Sequence, residues 1–226
     1  MSEIKHPAHL EKETNIVEQA QQYWGKYSKQ LTYAISILVL IIAGILGYKY
    51  LIQEPNEQKA TDAMFQAEQY YRMDSVRLAL NGDNINLGFA KIVSKYGSTK
   101  AGNLAKFYAG SCYLKLGDFN NAVKNLKDFS TPVYQVQARA YGLLGDAYSE
   151  LNKKDDAIEQ YKKAAGLSDK DDVFTPEYLF RAGYLYESMG KTKEAIEMYQ
   201  ALKDKFPGSQ RGLEIDKYLA RLGVTK

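Results

Sequence analysis

Two histidines, one cysteine and a scatter of carboxylates are the only side chains here with a claim on covalent, acid–base or metal chemistry. The histidines, His6 and His9, sit in His6-Pro7-Ala8-His9, and no histidine follows residue 9. Two ligands on a tail make a poor metal site, so the motif reads as a solvated tail. A Ser-His-Asp or Cys-His arrangement and an HExxH zinc helix need histidine further along the chain. The single cysteine, Cys112, excludes an intramolecular disulfide framework and any CxxC site. It precedes Tyr113 and lacks a histidine partner, which fits a packed, inert thiol. Carboxylate-only hydrolysis is what remains, and turnover by the purified protein would be needed to support it. The expectation is therefore no catalytic residue, no metal, no cofactor and no small-molecule substrate.

The elements that carry these residues follow from composition and pattern. At 226 residues, 45% hydrophobic and 25% charged, the chain has the balance of a globular protein of one or two domains. After residue 52 there are 25 Lys and Arg against 23 Asp and Glu, interspersed. A nucleic-acid surface shows a basic excess or stripe, so no nucleic-acid partner is expected.

Residues 30–48 contain no charge over 19 positions, and Tyr50, Leu51 and Ile52 extend the apolar run. A helix of about 20 residues crosses the ~30 Å hydrocarbon layer. Tyr23, Trp24 and Tyr27 precede it and Tyr48 and Tyr50 follow, as interfacial belts require. The expectation is a transmembrane helix over 31–52, uncleaved, with Trp24, Lys26, Lys29, Tyr48 and Lys49 at the membrane interfaces. Residues 1–30 form a tail whose Ile4, Leu10, Ile16 and Val17 suit a short amphipathic helix. Lysines flank both ends of the span, so the charge bias is weak. The short tail favours a cytoplasmic N-terminus, with the domain beyond the span exported.

Residues 53–58 read as a polar linker with Pro55 as a helix breaker. Residues 59–226 read as about nine short helices separated by turn signals, with no period-two strand pattern. Self-comparison aligns Gly110, Tyr113 and Ala122 with Gly145, Tyr148 and Ala157, and with Gly183, Tyr186 and Ala195. The alanines stand 35 and 38 residues apart. That ladder resembles the tetratricopeptide repeat, in which small residues let two helices approach and tyrosines fill between them. The fold class is all-α: one N-terminal transmembrane helix, then a tetratricopeptide-repeat solenoid with a C-terminal capping helix. Repeats fall at about 100–131, 134–168 and 175–208, a degenerate repeat at 59–99, and a cap at 209–223.

By repeat position, the inner face of the first helices would carry Phe107, Ser111, Leu114 and Lys115, then Asp146 with Gly142, Ser149 and Glu150, then Phe180, Tyr184, Glu187 and Ser188. Chaperone-clamping members of this repeat class use Lys and Asn at such positions, so that function is rejected. Phe107, Phe180 and Tyr184 suit an apolar or extended partner segment, and they equally suit packing between neighbouring helices.

The order of parts carries a further likeness. Tyr23-Trp24-Gly25-Lys26 ends the tail, Gly47-Tyr48-Lys49-Tyr50 ends the span, and residues 96–105 open the repeats after Ala60, Ala63 and Ala67. This resembles the YfgM-like tetratricopeptide proteins of the bacterial inner membrane. The resemblance implies an ancillary subunit of the Sec translocon (SecYEG) on its periplasmic side. It implies a membrane-anchored chaperone such as PpiD as partner, with emerging secretory proteins as clients. The repeats follow the general consensus more closely than that family would suggest. Two other readings stay open: a scaffold of an envelope complex such as Tol-Pal or the cell-wall machinery, and an organelle-membrane receptor with cytosolic repeats.

Overall fold

The structure is a computed structural model and describes residues 8–224; His6 and Ile4 lie outside the described residues, as do the side chains of His9, Leu10 and Ile16. The chain divides into two compact units, with the boundary after Pro55.

The first unit is dominated by α1 (Ala8–Tyr48), 41 residues without a break. No proline interrupts residues 8–48, so the tail and the apolar stretch wind as one helix rather than as two elements. This is the one helix among the described residues long and apolar enough to cross a membrane. Its large side chains face outward, with Leu40 71% and Ile45 61% exposed. The Thr32 hydroxyl donates to the Ser28 carbonyl and the Ser36 hydroxyl to the Thr32 carbonyl, each at 2.8 Å. Both hydroxyls are thereby satisfied within the helix, as a hydrocarbon surround demands. Trp24 and Tyr48 are exposed, and Lys26 and Lys49 lie over the rings of Tyr27 and Tyr50; Lys29 is exposed too.

A π-helical turn, Lys49–Gln53, follows, and α2 (Glu54–Arg72) begins at once. The linker expected over 53–58 is therefore helical. Pro55 lies within this continuous helical run, and the π-helical turn just upstream, where the Glu54 N–H reaches the Lys49 carbonyl, makes room for its ring.

The second unit runs through α3 (Val76–Asn81), α4 (Phe89–Tyr96), α5 (Lys100–Lys115), α6 (Phe119–Lys127), α7 (Tyr134–Glu150), α8 (Lys154–Ala165), α9 (Phe174–Ser188), α10 (Thr192–Lys205) and α11 (Gln210–Arg221). Among the described residues there is no strand, only an isolated bridge between Gly82 and Leu87. The fold is all-α. Helices α5/α6, α7/α8 and α9/α10 pack as successive pairs, and α11 lies on α9 and α10.

The segment 59–99 holds three helices rather than a pair. Its first, α2, ends on a left-handed residue, Asp74 (φ 55°), as α5, α7 and α9 are followed by Gly117, Asn152 and Gly190. In all four places the N–H after that residue donates to a tyrosine carbonyl five positions back: Tyr70, Tyr113, Tyr148 and Tyr186. Three residues before each tyrosine stands Ala67, Gly110, Gly145 or Gly183, and nine after it stands fully buried Ala79, Ala122, Ala157 or Ala195. So Ala67, Tyr70 and Ala79 are a fourth set of ladder residues that the sequence comparison did not reveal. Its second helix is split into α3 and α4 by residues 82–88. There Asp83 accepts from the Ile85 and Asn86 amides and from the Tyr70 hydroxyl, pinning the loop. The described part of 59–226 therefore holds one helix more than the nine expected.

Candidate partner-binding surface

Close contacts set the first helix of each repeat against its own second helix. A Cβ on Gly110 would stand 2.5 Å from Leu126, on Gly145 2.5 Å from the Tyr161 ring, and on Gly183 2.5 Å from the Tyr199 ring. Only glycine fits such an approach. Tyr148 is buried, and Tyr113 and Tyr186 are half-buried between their helices.

The structure brings Leu114, Lys115 and Asp146 together. With Ser149, Glu150 and Arg181 they line a depression of about 540 Å3. Tyr184 is exposed at 53% and Glu187 is largely enclosed, and both lie away from that depression.

Phe107, Ser111 and Phe180 are corrections to the expected inner face, since all three are buried. Phe107 packs against Phe129 and Tyr108. Ser111 shares a 2.8 Å hydrogen bond with the Tyr71 hydroxyl of α2. Phe180 packs edge-on to Tyr218, with the Arg211 guanidinium 4.1 Å from its ring centre. Repeat position names the residues that point away from their own partner helix. Ser111 is then covered from α2 and Phe180 from α11, while Phe107 is closed in by Phe129 beyond its own partner helix.

The polar side chains of this surface are mostly paired with one another. Asp146 accepts from the Tyr161 hydroxyl at 2.7 Å and from Arg181 at 2.6 Å. Arg181 also holds Glu177 at 2.8 Å, and Arg211 reaches the same carboxylate at 2.7 Å. Arg221 pairs with Glu187 at 2.7 Å, Lys191 with Asp155 at 2.8 Å, and Lys115 with Asp74 at 2.8 Å. Most of these pairs join one repeat to the next.

Electrostatics follow from this pairing. Burial pushes the Glu177 carboxyl up, but hydrogen bonds from Arg211 and Arg181 outweigh it, holding the group below its ordinary range. Burial raises the Tyr161 hydroxyl, and the Asp146 carboxylate adds to the effect. Burial pushes Tyr178 up to about 12. The fully buried Cys112 thiol is likewise pushed up to about 12, by burial against a smaller opposing pull from Lys115. None of these shifts produces a nucleophile or a general base near neutrality. Among the described residues no cluster of three or more His, Cys, Asp or Glu could hold a metal.

The family model described as tetratricopeptide repeat-like domain matches residues 21–217, taking in the apolar stretch of α1 and the repeats together. No curated protein matches the sequence. Among solved structures, "Crystal structure of MamA protein" is 19% identical, covering 74% of this chain and 97% of that one, with a TM-score of 0.54. "MamA RS-1 ArsTM double mutant" is 17% identical, covering 89% of this chain and 97% of that one, with a TM-score of 0.51. At these identities the likeness is one of fold.

Proposed function

Because the chain belongs to the tetratricopeptide repeat-like domain family, a fold built for protein–protein interaction, we propose that it is a membrane-anchored, non-enzymatic adaptor. The carrying observation is that one family match spans both the candidate membrane helix and the repeat stack. The span sits in the bacterial inner membrane, with the N-terminus cytoplasmic and the repeats periplasmic. There the protein acts as an ancillary subunit of the Sec translocon. It holds a membrane-anchored periplasmic chaperone such as PpiD and assists the hand-over of emerging secretory proteins. Tethering raises the effective concentration of the repeat surface, so a weak contact suffices. The depression lined by Leu114, Lys115 and Asp146 is where that contact is made, with exposed Tyr184 a separate point of contact.

Affinity purification from gently solubilised native membranes, with mass spectrometry of the co-purified proteins, tests this reading. Recovery of translocon subunits with a membrane-anchored chaperone is the expected result. Cell-wall or outer-membrane components in their place would overturn it in favour of an envelope scaffold. Reporter fusions at each end of α1 test the topology, and repeats facing the cytosol would sink the periplasmic assignment.

A further inference from the structure

A depression of about 740 Å3 lies outside the surface just described, between α2 and α5. Its floor includes buried Met64, and Phe65 and Leu104 stand over it, 63% and 36% exposed. An aromatic side chain left this open beside other apolar groups marks a contact surface rather than a core. The rim is acidic: Glu57, Asp62 and Glu68 face a single ammonium, Lys100.

The walls are preset. The two carboxylate oxygens of Glu57 accept from the Lys100 and Ala101 amides at 2.7 and 2.8 Å, so the start of α2 is tied to the N-terminus of α5. A carboxylate suits that helix end both as a cap and against the helix dipole. Asp62 is exposed and held by Gln58 at 2.9 Å, while Glu68 stands 3.8 Å from Arg72. The cleft therefore keeps an excess of negative charge around an apolar centre, and its size suits a few side chains of a partner.

We propose that the α2–α5 cleft docks a cationic amphipathic segment of a protein partner. One large apolar side chain of that segment rests on Phe65 and Leu104, and flanking Lys or Arg meet Asp62 and Glu68. The carboxylates repel phosphate-bearing surfaces, so neither an anionic bilayer nor nucleic acid fits the same site. This inference rests on the adaptor reading and assigns it a contact chemistry.

The test uses the full chain in nanodiscs of zwitterionic lipid and two fluorescein-labelled helical peptides. One carries Leu and Phe on one face and Lys on the other; the second has Glu in place of every Lys. Fluorescence anisotropy should show binding of the Lys peptide alone, above empty nanodiscs. Phe65→Ser with Leu104→Ser should weaken it by about tenfold or more, as loss of an aromatic anchor does. Asp62→Asn with Glu68→Gln should weaken it by about tenfold at low salt and less at high salt. Phe65 is 63% exposed and Leu104 36%, so the double variant should stay folded with only a small drop in melting temperature. If the double variant nonetheless unfolds, a benzophenone amino acid at position 65 should crosslink to the Lys peptide. Equal binding of the two peptides, no binding of either, unaltered affinity in the variants, or no crosslink would overturn the site. Native partners recovered by a chain that fails the peptide test would overturn the cleft and leave the adaptor standing. A chain that binds the peptide yet recovers no envelope partner would overturn the adaptor reading instead.

Discussion

Arg181 of α9 bonds Asp146 of α7 at 2.6 Å, and the two stand 35 residues apart. Arg211 and Glu177 are 34 apart, as are Arg221 and Glu187. Each separation is close to one repeat in length, because each pair joins a helix to the one two elements further on: α7 to α9 once, and α9 to α11 twice. These pairs are partly exposed, so they contribute more to helix placement than to stability.

Gly145→Ala should destabilise the repeat unit by about 1–3 kcal/mol, because the new methyl meets a ring that is itself buried and hydrogen-bonded to Asp146. Gly183→Ala should behave alike against Tyr199, while a Cβ on Gly208 meets nothing within 4 Å. Urea unfolding followed by circular dichroism reads the difference. An unchanged midpoint for Gly145→Ala would contradict the close approach.

Phe180→Ala should cost about 3–5 kcal/mol, as expected for an aromatic lost from a core. The residue is 8% exposed and packs with Tyr199, Tyr218 and Arg211. A thermal melt decides it, since a variant of native stability that binds partners poorly would restore Phe180 to the surface.

Stability should fall on acidification, in part through Glu177. Its folded pKa is lowered from the ordinary value of 4.5. The stabilisation is thus present above that value and lost as pH drops through the folded one. Urea midpoints between pH 7 and pH 3 should decline, and Glu177→Gln should flatten the decline. An identical slope in the variant would remove Glu177 from the account.

Cys112 should resist alkylation. With its thiol buried and pushed up to about 12, little thiolate forms at pH 8. Iodoacetamide should label the folded chain at least about a hundredfold more slowly than the urea-unfolded chain. Comparable rates would show that this part of the core opens freely.

Asn152 adopts φ 56° where the equivalent turns use Gly117 and Gly190. Asn152→Ala should cost about 1 kcal/mol, since asparagine tolerates the left-handed region and alanine does not. Asn152→Gly should be close to neutral. Equal midpoints for all three chains would show that the turn relaxes.

The repeats were legible because Gly-x-x-Tyr followed by Ala nine positions on occurs three times with intact turns. The fourth set escaped because Ala67 replaces the glycine, Asp74 replaces the glycine or asparagine of the turn, and residues 82–88 split the second helix. A search for Ala79 nine residues after a tyrosine would have found it. The surface was less legible. Ser111 is covered by Tyr71 and Phe180 by Tyr218, each from a helix whose placement no local pattern encodes. The α2–α5 cleft went unseen for the same reason, since Phe65 and Leu104 are 39 residues apart and no local pattern links them. Pro55 misled as a breaker because a π-helical turn just upstream lets the helix run through it.

The ion pairs also have a mechanical meaning. Among the described residues each repeat touches only its neighbours, and no helix pair bypasses one. A pull between α2 and α11 therefore passes through every interface in turn, like a load on links in series, and the least braced link gives first. Charged pairs bind α7 to α9 and α9 to α11, and Lys115 ties α5 to Asp74. Among the described residues none spans α5 and α7. That joint is held by apolar packing instead, with Phe107, Leu126, Ala138 and Ala140 in one buried cluster between the half holding the acidic cleft and the half laced by arginine.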